Sequence, residues 1–532
     1  MADTPHPDTP AAPAATPRAA LRVRLGSADR VPRVFQALVI GYVLITGELS
    51  RALQVALFGL AGGGHAEFTM ALLLALLVDV ARVAPVIVLA RHPLGILHPL
   101  IIVVVLWPLL TGIPTDIEQL GGLGGLFLGE PLATPQFQGL GWQPPGDVWT
   151  AIALYNGLAF VSLLSIYAGF ALAVVRPRPA VDKARELDPA TLRRVLIGLI
   201  AVSLFALLAL IQYRGGLERH LSELAFGRFR SLAGLGPLVA LVDLGSMCLV
   251  VWTAHRPGDV RSPLFLVCLA AVAAGQFLSN GSRSSMVFLI MTVGFTWALR
   301  TRRIPWRVAV LAAPLLFLSL GALAVVRSSG VQEQTALQAL ESSDAAQFLE
   351  RIQNEVEDRR FISAGVPVVA KGHEVTGLMF GETYVAAILG VIPRAVWEDK
   401  PRGPGSIYAQ TFLGVPREGL SIPVPAFAEA FWNFHLPGVI VIFGTFGMLI
   451  RAGHELYLTY QENAFVLALF VMFATTFRMG TDDLVAFQQQ MLMLLIVWIT
   501  ARYFAGPKRQ AAERRTPRPP ARSFQSEPDP RF

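Results

Sequence analysis

Residues 68–89 read FTMALLLALLVDVARVAPVIVL. A helix of about 20 mostly apolar residues spans the hydrocarbon core of a bilayer. The run meets that length, and only Asp79 and Arg82 interrupt it. Those two are three residues apart on one helix, where an Asp and an Arg can pair with each other. An intramembrane polar site is the alternative reading of the pair.

Similar runs recur outward from this one. They lie near Phe35–Leu60, Leu97–Leu110, Thr150–Val174, Val195–Ile211, Pro237–Trp252, Pro263–Leu278, Met286–Leu299 and Val308–Val326. Three more follow near Val439–Ile450, Ala464–Phe477 and Leu484–Tyr503. The pattern predicts an all-α polytopic membrane protein of about twelve transmembrane helices. Composition agrees: of 532 residues, 54% are hydrophobic and only 15% charged. A soluble surface needs more charge than that.

The expected divisions are a tail at 1–33, helices 1–9 at 34–326, a long loop at 327–434, helices 10–12 at 435–505 and a second tail at 506–532. Both tails are rich in Pro and Arg and read as disordered. The first apolar run starts too late for a cleavable signal peptide. Cys248 and Cys268 both fall inside apolar runs. They read as packing residues, with no disulfide framework or thiolate metal site.

Orientation follows from the cations. With the N-terminus in the cytoplasm, the basic turns at Arg91, Arg176–Arg194, Arg256–Arg261 and Arg300–Arg303 all face inward. The second tail, with Arg502, Lys508 and Arg509, does too, as the positive-inside rule requires. The net charge of +7 is thus a topology signal, not a nucleic-acid signal. Both termini are expected in the cytoplasm, and the loop 327–434 outside.

Several cations break this rule. The segment Tyr213–Arg230 holds Arg214, Arg219, His220, Arg228 and Arg230 on the outer side. Arg283, Arg327 and Arg478 stand at outer helix ends. The loop stretch IPRAVWEDKPR, residues 392–402, adds Arg394, Lys400 and Arg402 beside Glu398 and Asp399. Prolines at both ends restrict its backbone. The guanidinium fork matches phosphate oxygens, so the set suits a lipid-linked pyrophosphate at the outer surface. The competing readings are a plain linker and arginines that snorkel to phospholipid headgroups. Elsewhere in the loop, Gln332–Arg360 has the spacing of an amphipathic helix, and 377–392 reads as a short apolar helix carrying Glu382. Residues 403–432 read as irregular.

The stretches GETYVAAILGVIPRAVWEDKP (380–401 region) and PVPAFAEAFWNFHLPGVIVIFGTFG (423–447) resemble the Wzy-type oligosaccharide repeat unit polymerases, as does GSRSS around Arg283. The resemblance covers roughly Gln276 to Gly480. It implies a GT-C-like glycosyltransferase of the bacterial plasma membrane, related to O-antigen ligases. Such an enzyme joins undecaprenyl-pyrophosphate-linked donor and acceptor oligosaccharides at the outer face. It uses neither nucleotide sugar nor metal, and no cofactor is implied. Membrane lipids, chain-length regulators and flippases are the implied partners, and nucleic acid is not. Arg283, Arg394 and Arg478 would neutralise the departing pyrophosphate, with Lys400, Arg402, Arg327 and Arg214 as further cations. Glu382, Glu398, Asp399, Glu429, His373 and His435 are the candidates for the base that activates the acceptor hydroxyl. A ligase acting from the same carrier is the nearest alternative. A flippase or transporter is the distant one, since no half-to-half repeat is visible.

Overall fold

The computed structural model describes residues 33–43, 66–92, 94–106, 146–174, 187–217, 219–220, 235–280, 283–303, 361–392, 397, 401–414, 422–477 and 479–505. Among these residues the chain is helical and contains no strand. The helices are α1 (Arg33–Val43), α2 (Ala66–Val88), α3 (Gly146–Leu172), α4 (Pro189–Tyr213), α5 (Gly236–His255), α6 (Pro263–Asn280) and α7 (Arg283–Thr301). They continue as α8 (Phe361–Thr376), α9 (Glu382–Ile388), α10 (Pro404–Leu413), α11 (Ala426–Thr459), α12 (Ala464–Thr476) and α13 (Thr481–Ala505).

Six of these, α2, α3, α4, α5, α11 and α13, are long and apolar enough to cross a membrane. The apolar helices α6, α7 and α12 are shorter. The outward faces of α2, α4, α11 and α13 carry Val88, Phe205, Leu208, Val441 and Ile499, all more than half exposed. Contiguous apolar surface of this kind is costly in water and at no cost in lipid. The protein is a membrane-embedded helical bundle.

Of the other expected spans, the first is described only over α1, and the ninth (308–326) lies outside the described residues. The third is a broken element: Pro99–Ile101 is α-helical and Ile102–Leu106 is a π-helix. The expected helix at Gln332–Arg360 also lies outside the described residues. The Asp79–Arg82 pair is present, at 3.8 Å.

Helix starts follow local chemistry. Asp188 caps α4, its carboxylate accepting from Thr191 N–H at 2.9 Å, and Pro189 takes the first turn, where a missing N–H costs nothing. The hydrogen bond from the Thr191 hydroxyl, then those from the Thr191 and Ala190 N–H groups, hold the Asp188 carboxyl below its ordinary value. The helix thus reaches back into a stretch, Arg176–Arg194, that reads as a basic loop in sequence. Asn463 caps α12 in the same way, accepting from Phe465 and Val466.

Two apolar cores hold the bundle. One joins α3, α8, α10 and α11 with the segment 94–105. The other joins α4, α5, α6, α7 and α13. At the centre of the first, α3 and α11 run in the same direction, with Tyr155 against Phe427 near their starts and Phe170 against His454 near their ends. Their backbones touch through glycine. A Cβ on Gly169 would stand 1.9 Å from Gly444 O, and one on Gly447 would stand 2.1 Å from Ile166 O.

The two ends of the bundle are distinct. At one, Asp188 N–H donates to Ala505 O at 2.9 Å, tying the start of α4 to the end of α13. Arg300 there pairs with Glu462 at 2.9 Å and donates to Gln461 O at 2.8 Å. This end carries the basic turns that the charge pattern assigns to the cytoplasm. The opposite end carries Arg214, the start of α7 and the start of α13.

Candidate functional site

The site is built where α9 meets the first part of α11. The helix containing the tenth span starts at Ala426, well before the Val439 expected from hydropathy. The early turns carry polar residues that are fully buried. Glu429 is 1% exposed and Asn433 0%. Burying such groups is costly unless each is hydrogen-bonded. Here they are. Thr383 Oγ1 donates to Glu429 Oε1 at 2.7 Å, and Thr481 N–H donates to Oε2 at 3.0 Å. Asn433 Nδ2 donates to Thr383 Oγ1 at 2.9 Å and to Glu429 O at 2.9 Å. Its Oδ1 accepts from Gly381 N–H at 3.0 Å. Gly381 has a φ of 87°, which glycine tolerates freely and so delivers the start of α9 onto Asn433. One carboxylate therefore ties α9, α11 and α13 together.

Trp432 extends the network. Its Nε1–H donates to Thr376 Oγ1 at 2.7 Å, at the end of α8. The helix α8 lies inside the expected external loop, yet Ala364 and Val368 are fully buried between α3 and α11. His373, near its end, bonds through Nε2 to Phe431 O at 3.0 Å and stacks on His435 at 5.0 Å.

His435 is a strained residue inside α11, one of four described non-glycine residues with positive φ. It has φ 58° and ψ −159° in the middle of α11, two residues before Pro437. This backbone conformation is nearly restricted to glycine and costs on the order of 1–3 kcal/mol. It kinks the helix and leaves the imidazole exposed over the buried network. The expected division between loop and last helices, at 434/435, falls on this kink. His435→Gly should release the strain and hold or raise stability by about 1 kcal/mol. A thermal melt of detergent-solubilised protein reads it, and a lowered midpoint would show that ring stacking outweighs the backbone cost.

The sequence-predicted residues divide as follows. Glu382, Glu429, His373 and His435 come together in this cluster, with Glu382 and His435 exposed and Glu429 buried. The phenol of Tyr384, next to Glu382, is pushed above its ordinary value by burial and then by the charge of Glu429. Arg402, just before α10, donates through Nη1 to Gln410 Oε1 in the second half of that helix. Arg214 is buried at the end of α4, its Nη1 3.0 Å from His220 Nδ1, while His220 Nε2 reaches Leu278 O. Arg214 therefore braces α4 against α6 and is not in the α9–α11 cluster. Arg283 opens α7. Arg394, Glu398, Lys400, Arg327 and Arg478 lie outside the described residues.

Described residues on either side of 393–400 lie close to α13: Ile388 O accepts from Gln488 Nε2 at 3.5 Å, and a Cβ on Gly403 would be 3.7 Å from Asp482 Oδ1. Gln488 and Asp482 are within two turns of Thr481, which binds Glu429. Residues with no signal in the sequence, Thr383, Asn433 and Thr481, prove central.

No family model, curated protein or solved structure matches the chain.

Proposed function

We propose that the protein is a membrane glycosyltransferase that polymerises undecaprenyl-pyrophosphate-linked oligosaccharide repeat units at the outer face of the bacterial plasma membrane. One observation carries the reading. The two stretches that resemble the polymerases, around Gly381–Tyr384 and Ala426–His435, hydrogen-bond to each other through Glu429, Thr383 and Asn433. They do so at the end of the bundle opposite the basic turns.

In this reading the acceptor hydroxyl oxygen attacks the anomeric carbon of the donor. The bond from that carbon to the pyrophosphate oxygen breaks, and the lipid pyrophosphate leaves with the electron pair. Arg394, Arg283 and the neighbouring cations stabilise its growing charge, the largest demand in a transfer with a good leaving group. Glu382 or His435, both exposed beside the network, takes the hydroxyl proton. Glu429 acts as a positioning residue, since both of its oxygens accept hydrogen bonds from the fold.

Purified protein supplied with lipid-linked repeat units tests the proposal. A ladder of multi-repeat, carrier-linked products is expected. Arg394→Ala should abolish the ladder while the protein stays folded in the membrane. Transfer to a non-carrier acceptor without lengthening would make it a ligase. Movement of substrate with no covalent product would make it a transporter.

A further inference from the structure

At the end of the bundle opposite the candidate active site, three histidines meet. His92 lies in the turn after α2, His98 caps the short helix at Pro99, and His454 comes from the last third of α11. Their ring centroids are 4.6 Å (His92–His98), 5.0 Å (His98–His454) and 5.9 Å (His92–His454) apart. One ring nitrogen from each lies within 4.8 Å of those from the other two. His98 is 2% exposed and His454 3%. Both nitrogens of His454 lack a hydrogen-bond partner among the described residues. A buried polar group in that state is costly, and native structures rarely keep one without a reason.

We infer that His92, His98 and His454 form a binding site for a first-row divalent metal ion, Zn²⁺ being the best match. Imidazole nitrogens favour Zn²⁺, Ni²⁺, Cu²⁺ and Fe²⁺ over Mg²⁺ or Ca²⁺, which take oxygen. Bonds of about 2.0–2.1 Å place tetrahedral nitrogens about 3.4 Å apart. The observed spacing needs the rings to close by little more than an ångström. His454 supplies a lone pair that nothing else uses. Nδ1 of His92 and of His98 each accepts a long hydrogen bond, from Leu94 N–H at 3.2 Å and Leu100 N–H at 3.3 Å. Ligation through Nδ1 replaces these two weak bonds, and ligation through Nε2 moves the ring proton to Nδ1 and gives them up as well.

Arg451 and Arg302 both oppose an ion here. Arg451 is already paired with Glu455 at 2.6 Å and lies over the Phe170 ring, and Arg302 donates to Gln461 Oε1 at 3.1 Å and lies over the Tyr457 ring. Three protein ligands leave a fourth position for water. An ion would clamp the turn after α2 to α11 from the face that the charge pattern puts in the cytoplasm. This site is independent of the transferase reading.

The test uses full-length protein in detergent, purified through a tag without histidine and stripped with chelator. Co²⁺ is titrated in and followed by visible absorbance, then displaced by Zn²⁺. One equivalent with the intense bands of tetrahedral Co²⁺ is expected. His454→Gln should weaken binding at least a hundredfold. His92→Gln, in the partly exposed turn, should do the same if the first variant fails to fold. Metal-free circular dichroism checks the fold of each. No saturable band in the unaltered protein, or an undiminished one in a folded variant, would overturn the site.

Discussion

Glu429→Ala is expected to unfold the end of the bundle where α9, α11 and α13 meet and, on the proposed function, to remove chain elongation with it. The carboxylate accepts from Thr383 Oγ1 and from Thr481 N–H, and it is 1% exposed. Alanine leaves both donors buried without an acceptor. Each orphaned donor costs about 1–3 kcal/mol, so the variant should lose about 2–6 kcal/mol. The loss is not confined to one helix, because the two bonds tie α11 to α9 and to α13. The Ile388–Gln488 contact lies on α13 within two turns of Thr481, so it loosens as well. Glu429→Gln should fall between, because its amide nitrogen must face one of two donors. Thermal melts read the stability, and chain elongation reads the consequence. A wild-type midpoint for the alanine variant would refute this account of the network.

The second large effect belongs to the α3–α11 contact. Without a hydrophobic drive between helices in lipid, close backbone packing through small residues holds them together. A Cβ at Gly447 would overlap Ile166 O, at 2.1 Å, and approach Phe170 N at 2.8 Å. These obstacles are backbone atoms, which cannot swing aside as a side chain does. Gly447→Val should therefore separate the helices and cost about 3 kcal/mol or more, at or beyond the usual range for overpacking. Both the Tyr155–Phe427 and Phe170–His454 contacts depend on that spacing. The expected result is a protein that is made but is rapidly cleaved by protease in detergent. Protease resistance equal to the unaltered chain would disprove tight glycine packing there.

Much of the bundle was legible from hydropathy. The helices α2, α5, α6, α7, α12 and α13 start and end near their apolar runs, because in lipid the run itself decides the span. Where legibility failed, tertiary contact had replaced local preference. Residues 361–376 contain glycines, a proline and several β-branched residues, all poor helix formers. They become α8 because Gly365 fits against Tyr155 and Pro425, and Gly372 against Trp432. The first turns of α11 looked like loop because Glu429, Asn433 and His435 are polar. Their partners, Thr383, Gly381 and Thr481, come from other helices, and no window along the chain can reveal them. The base candidates Glu382, Glu429, His373 and His435 were all named from sequence, yet their division into buried tie and exposed groups required the fold. The histidine cluster was illegible for the same reason. His92 and His98 read as part of a basic turn and an apolar run, and His454 lies on a helix hundreds of residues away.

The glycine contact between α3 and α11 also sets an order of events during biosynthesis. Gly169 reaches the bilayer early, whereas Gly444 and Gly447 are translated much later. At about 5–20 residues per second, the intervening chain takes roughly 15–55 s to make. The helices α4 to α7 can assemble on one another in that interval, since their core needs mainly neighbours in the chain. The glycine face of α3 cannot. It waits in the bilayer without its mate until the last third of the chain emerges, and until then only lipid covers that face.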